Sequence, residues 1–142
     1  MPRLTVDVEQ LLVVMVGEAI DPVPVLPAID VDFDGPGGPQ LPVVLLSPLN
    51  GRMVSNGHPA LGWEWTVAFT ILADGYDAAS QLADTLYQSV HMLEGKSWPG
   101  VGSVATVEDE SMPSRTASVV LETQNLTQFD GTFVVRVRPP RA

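Results

Sequence analysis

The chain has no cysteine among its 142 residues. That excludes disulfides, thiolate catalysis and cysteine-ligated zinc, and it suits a reducing compartment. Positive charge is nearly as scarce. Seven lysines and arginines stand against seventeen acids, for a net charge of -10. A chain with this balance repels nucleic-acid phosphates rather than gripping them. Long apolar runs are missing too. The longest, residues 11–16, is far too short to span a bilayer. The sequon Asn125-Leu126-Thr127 follows no signal-peptide pattern and reads as chance.

What is present is globular. Apolar residues make up 45% of the chain, enough for one domain over residues 1–142 with a sizeable core. Prolines and glycines crowd residues 21–59 and predict long loops at 21–42 and 48–62. In residues 4–19, Leu4, Val8, Leu11, Leu12, Met15, Val16 and Ala19 recur at helical spacing. Thr5 is the expected cap, with Asp7 and Glu9 in the first turn. Residues 41–47 read as a short buried strand. Asn50-Gly51 and Asn56-Gly57 are each candidate hairpin turns. In residues 62–74, Trp63, Trp65, Val67, Phe69 and Ile71 share one face of a strand, and Glu64, Thr66, Ala68 and Thr70 share the other. Residues 77–95 read as a helix with Asp77 as its cap and Gly95 as its stop. Its apolar stripe is Ala79, Leu82, Ala83, Leu86, Val90 and Leu93. Three strands are expected at 100–109, 115–124 and 132–139, with Asp130-Gly131 turning between the last two. The predicted order is α-β-β-α-β-β-β. This is an α+β fold in which a mostly antiparallel sheet of about four to five strands is covered by two helices.

Candidate chemistry is sparse. The stretch "DVDFDGPGG" begins like a calcium loop, with Asp30, Asp32 and Asp34 as ligands and Gly35 at the turn. The twelfth position, where a bidentate glutamate belongs, holds Leu41. Proline on both sides prevents flanking helices, so a solvated acidic loop is the better reading and a small calcium-binding module the alternative. His58 and His91 fall in different elements and lack spaced acidic partners, which leaves no metal or cofactor site to assign. A small enzyme with a histidine base is the other alternative. The acidic run Glu108, Asp109, Glu110, Ser111 reads as a solvated hairpin tip. The one basic cluster, "RVRPPR", carries Arg136, Arg138 and Arg141. Arg136 and Arg138 alternate out of one strand and share a face. Either they deter pairing at a strand edge, or they meet an acidic loop of a second copy, at Asp30, Asp32 and Asp34 or at Glu108, Asp109 and Glu110.

Taken together, an early helix, a proline-rich segment leading to "LPVVLLSPLNG", the aromatic strand "WEWTVAFTI", the run "DGYDAASQLADTLYQSV" and a closing "TFVVRVRP" resemble the tail terminator proteins of long-tailed bacteriophages. The resemblance covers most of the chain as a pattern of elements; residues 30–38 lie outside it. It implies helices packed on a mostly antiparallel sheet and assembly into a six-membered ring. Such a ring caps the tail tube, ends its elongation and offers the head-joining surface, as a structural part of the virion assembled in the host cytoplasm. The implied partners are further copies of the chain, the tail tube protein and a head-completion protein, with DNA passing through the lumen unbound. It implies no catalytic residues and no cofactor. A neck stopper or head-tail adaptor is the related alternative.

Overall fold

The described residues of the computed structural model are 6–30, 41–54, 62–116 and 126–140. In chain order they form α1 (Val8–Ala19), β1 (Val25–Pro27), a 3-10 turn (Ala28–Asp30), β2 (Val43–Met53), β3 (Trp63–Ala73), α2 (Tyr76–His91), β4 (Ser97–Trp98), β5 (Gly102–Thr116) and β6 (Thr127–Arg138). The α+β class and the two helices are as expected, but Gly75 and not Asp77 holds the cap position of α2, and Asp77 lies inside its first turn. The strand count among the described residues is six: the two strands expected at 100–109 and 115–124 correspond there to one, β5, and β1 and β4 add short strands that no periodicity announces. Both form by pairing with longer neighbours, β1 with β2 and β4 with β5.

The sheet order is β1-β2-β3-β6-β5-β4. Every pairing is antiparallel except β1 with β2. Three expectations change here. Asn50-Gly51 is not a turn: β2 runs through it, and Gly51 pairs with Trp65. A Cβ at Gly51 would fall 2.5 Å from the Trp65 indole, so the missing side chain makes room for the ring. Asp130-Gly131 is not a turn either. It lies within β6, where a Cβ on Gly131 would sit 3.0–3.1 Å from Pro113 of β5. The acidic run 108–111 is not a hairpin tip, since Glu108, Asp109 and Ser111 pair with Val134, Phe133 and Thr132. The strand expected at 115–124 coincides with β5 only through Thr116, and residues 117–125 lie outside the described residues, as do Asn56-Gly57 and Thr5.

Both helices lie on the same face of the sheet. The stripe of α1 (Val8, Leu11, Leu12, Met15, Val16) and that of α2 (Ala79, Leu82, Ala83, Leu86, Val90) are buried against Val67, Phe69, Ile71, Phe133, Val135 and Val137. Asp7, not a first-turn residue, caps α1 by accepting the Gln10 N–H at 3.0 Å. α2 ends at His91, and the chain turns through Gly95, whose φ is +80°. On the opposite face Val43, Leu45 and Leu72 make a small second cluster with Ala28 and Leu126. The rest of that face carries no helix among the described residues.

The long outer strands are blunted. Beyond β4, the Val104 N–H donates to the Lys96 carbonyl, and the Gly95 N–H donates back to Val104. Further along β5 come register shifts and Pro113, which has no N–H to offer. β2 beyond its pairing with β1 contains Pro48 and a shift between Pro48 and Asn50. Bulges and prolines at such edges discourage edge-to-edge pairing.

Candidate functional site

Two polar constellations stand out, one on each face of the sheet. The first joins the end of α2 to β5. Tyr87 and His91 are four residues apart, so they project from one side of the helix. Asp109 pairs in register with the core residue Phe133 and therefore points to the helix side. The Tyr87 hydroxyl donates to Asp109 Oδ2 at 2.5 Å, and His91 Nε2 lies 2.6 Å from Oδ1. Both rings also approach Phe133, with centroids 6.0 and 5.9 Å away. The hydrogen bond from Tyr87, seconded by the one from His91, holds the Asp109 carboxyl below its ordinary value. The same bond, with burial and the carboxylate charge, pushes the Tyr87 phenol up. One turn further on, Glu94 Oε1 accepts the outward-facing Val107 N–H at 2.8 Å. Tyr87, His91 and Glu94 together grip β5 at 107–109. Each Asp109 oxygen already has its partner, so the cluster is a clamp whose groups satisfy one another. Among the described residues no group of three histidines or acids is placed to hold a metal ion.

The second constellation lies on the helix-free face. Residues 52, 64 and 136 align across β2, β3 and β6. Arg52 donates to Glu64 Oε1 through Nη2 at 2.8 Å and Nε at 3.3 Å. Arg136 Nη2 lies 4.0 Å from Glu64 Oε2 on the other side. One carboxylate thus stands between two guanidiniums. The Arg52 side chain is 75% exposed and that of Arg136 is 39% exposed. Arg136 Nε is buried and makes no hydrogen bond. Arg138 follows two residues along β6, on the same face and exposed. An exposed pair of this kind adds little stability. Its consequence is where it leaves positive charge.

Arg136 and Arg138 share a face as the alternation predicts, but β6 is flanked by β3 and β5. They form a row on the sheet's surface rather than a basic edge. The acidic run divides: Glu108 faces the bare side, Asp109 the helix side, and Glu110 sits exposed at a register shift. Asp30 ends the 3-10 turn and is exposed. Asp32, Asp34, His58 and Arg141 lie outside the described residues. The sequence reading missed Arg52, Glu64 and Tyr87. The spacing of Tyr87 and His91 was available as a signal; Arg52 was hidden by the turn assigned at Asn50-Gly51.

A scan against protein-family models finds none that matches the chain, and a search of curated proteins finds no match either.

Proposed function

We propose that this chain is a structural ring protein of a bacteriophage tail, a terminator that caps the tail tube, ends its elongation and presents the head-joining surface. The observation that carries the reading is the one-sided layering of the fold. Two helices cover one face of a mostly antiparallel sheet, which is the architecture that the resemblance implies. Such a subunit has two unlike faces, and contacts between unlike faces of successive copies close into rings when the rotation between copies closes. The blunted outer strands leave faces rather than edges for those contacts. A net charge of -10 suits a ring through which DNA must pass without sticking.

Light scattering after size exclusion, with and without a chelator, tests the reading. A mass near six times 15.2 kDa, indifferent to the chelator, is expected, together with binding to the ends of tubes built from the tail tube protein. A protein that stays monomeric and leaves tube ends bare refutes it. Binding to the head portal in place of the tube would make the chain an adaptor. A monomer that loses stability when calcium is removed would return attention to Asp30, Asp32 and Asp34.

A further inference from the structure

The two faces of the molecule differ in where charge collects as well as in cover: the helix-free face also bears Glu108 and Asp130, but its arginines gather at one end. α1 carries Glu9 and Glu18, and α2 carries Asp77 and Asp84; neither helix contains a lysine or arginine. Asp77 and Asp84 are both exposed and lie seven residues apart, two helical turns, on one side of α2. The caps and turns beside the helices add Asp7, Asp74 and Glu94, with Lys96 the single cation near them in sequence among the described residues. Five cations fall among the described residues: Arg52, Lys96, Arg115, Arg136 and Arg138. Arg115 is placed over the Tyr76 ring, 5.4 Å from its centroid. The three that remain gather at one end of the helix-free face, with Glu64 as the one acid between them.

We infer that this arginine row of Arg52, Arg136 and Arg138 docks against the acidic outer surface of α2 on a second copy of the chain. The inference rests on the ring reading only in taking the partner to be another copy. Three observations favour that partner. The row and the helix surface are opposite in charge and belong to opposite faces, so each copy has one of each to offer. The outer strands are blunted, so copies are not expected to add to one another's sheets. The chain as a whole is strongly acidic, so copies repel unless this patch meets acid. Joining unlike surfaces is heterologous, the kind of contact that closes into a ring or runs on as a filament. Glu64 has a defined part in this arrangement: by holding Arg52 it keeps one guanidinium directed along the row instead of free in solvent.

A charge exchange tests the docking. One variant reverses the row (Arg52→Glu with Arg138→Glu), leaving the half-buried Arg136 in place. The other reverses the helix surface (Asp77→Lys with Asp84→Lys). Each alone confronts like with like and is expected to weaken association at least about tenfold, while its melting curve stays close to the parent's. Mixed in equal amounts the two should reassemble, because the acidic row of one now fits the basic helix of the other and the remaining junction is native. Raising salt should weaken the parent assembly, since exposed charge pairs are screened. Assembly by either variant alone at the parent's affinity overturns the docking, as does a mixture that stays apart. If the variants still form six-membered rings that cap tubes, the ring reading stands and only the docking surface is wrong. A parent chain that never associates, even at low salt, overturns the docking, and the tube-end assay then decides the ring reading separately.

Discussion

Replacing Phe133 with alanine probes the core and the α2 clamp at once. Phe133 is fully buried on β6 and meets Phe69 edge-on, with centroids 5.6 Å apart and planes at 80°. Tyr87 and His91 rest against its other side. Truncating a buried phenylalanine costs about 3–5 kcal/mol through lost transfer energy and the cavity left behind. Of this, about 0.5–1.5 kcal/mol belongs to the ring pair. At about 2.1 cal/mol/K per residue, 142 residues have an unfolding entropy of about 0.3 kcal/mol/K, so the melting temperature should fall by about 10–17 °C. Urea unfolding is the cleaner assay, because an unchanged slope with a lower midpoint isolates the stability change. Phe133→Leu keeps most of the apolar volume and should lose clearly less. A double-mutant cycle with Phe69→Leu then reads the ring pair itself. A loss below about 1.5 kcal/mol for Phe133→Ala would refute the placement of β6 as the strand against which both α2 and β3 pack.

Gly51→Ala should destabilise the protein by about 1–3 kcal/mol, since the new methyl collides with an indole held against the core; an unchanged melting temperature would show that Trp65 swings aside freely. Asp109→Asn tests the clamp through pH. The Asp109 carboxyl titrates below its ordinary value near 3.8 when folded, so its contribution is complete above that value and is lost as the pH falls through the folded one. Melting curves from neutral pH downward should therefore show a gap between parent and variant that narrows in acid, and a constant gap would refute the assigned bonds.

The apolar periodicities were legible because each reports one buried surface. The stripe from Ala79 to Val90 and the alternations Val67-Phe69-Ile71 and Phe133-Val135-Val137 all turn up buried. The turns were not. An Asn-Gly or Asp-Gly pair marks a hairpin when glycine is needed for its backbone freedom. In β2 and β6 glycine serves its other purpose, absence of bulk, where an indole at Gly51 or a proline at Gly131 presses on the strand. Nothing local distinguishes the two uses, since the deciding neighbours come from 14 and 18 residues away, Trp65 and Pro113. Misplacing those turns hid the true length of β2 and β6, and with it the Arg52–Glu64 pair. Reading 108–111 as a hairpin tip hid the length of β5 and the split of the 108–110 acids between two faces. The short strands β1 and β4 were unreadable for a simpler reason: three and two residues are too few to show a period.

The position of β6 bears on how the chain comes to be folded. β6 separates two pieces made before it, the β1-β2-β3 block and the β4-β5 block. On the ribosome, everything up to residue 126 can emerge and still present two sides that only β6 will pair, an unbroken one on β3 and an interrupted one on β5. The side of β3 that β6 will cover has no interruption, since its register with β6 runs unbroken from Trp63 to Ala73. A nascent chain at that stage is at its most prone to pair with a neighbour, and chaperone protection there would matter most. Closure joins segments about 60 residues apart, Thr70 with Asp130 among them, so it waits on a long loop closing and should limit the folding rate.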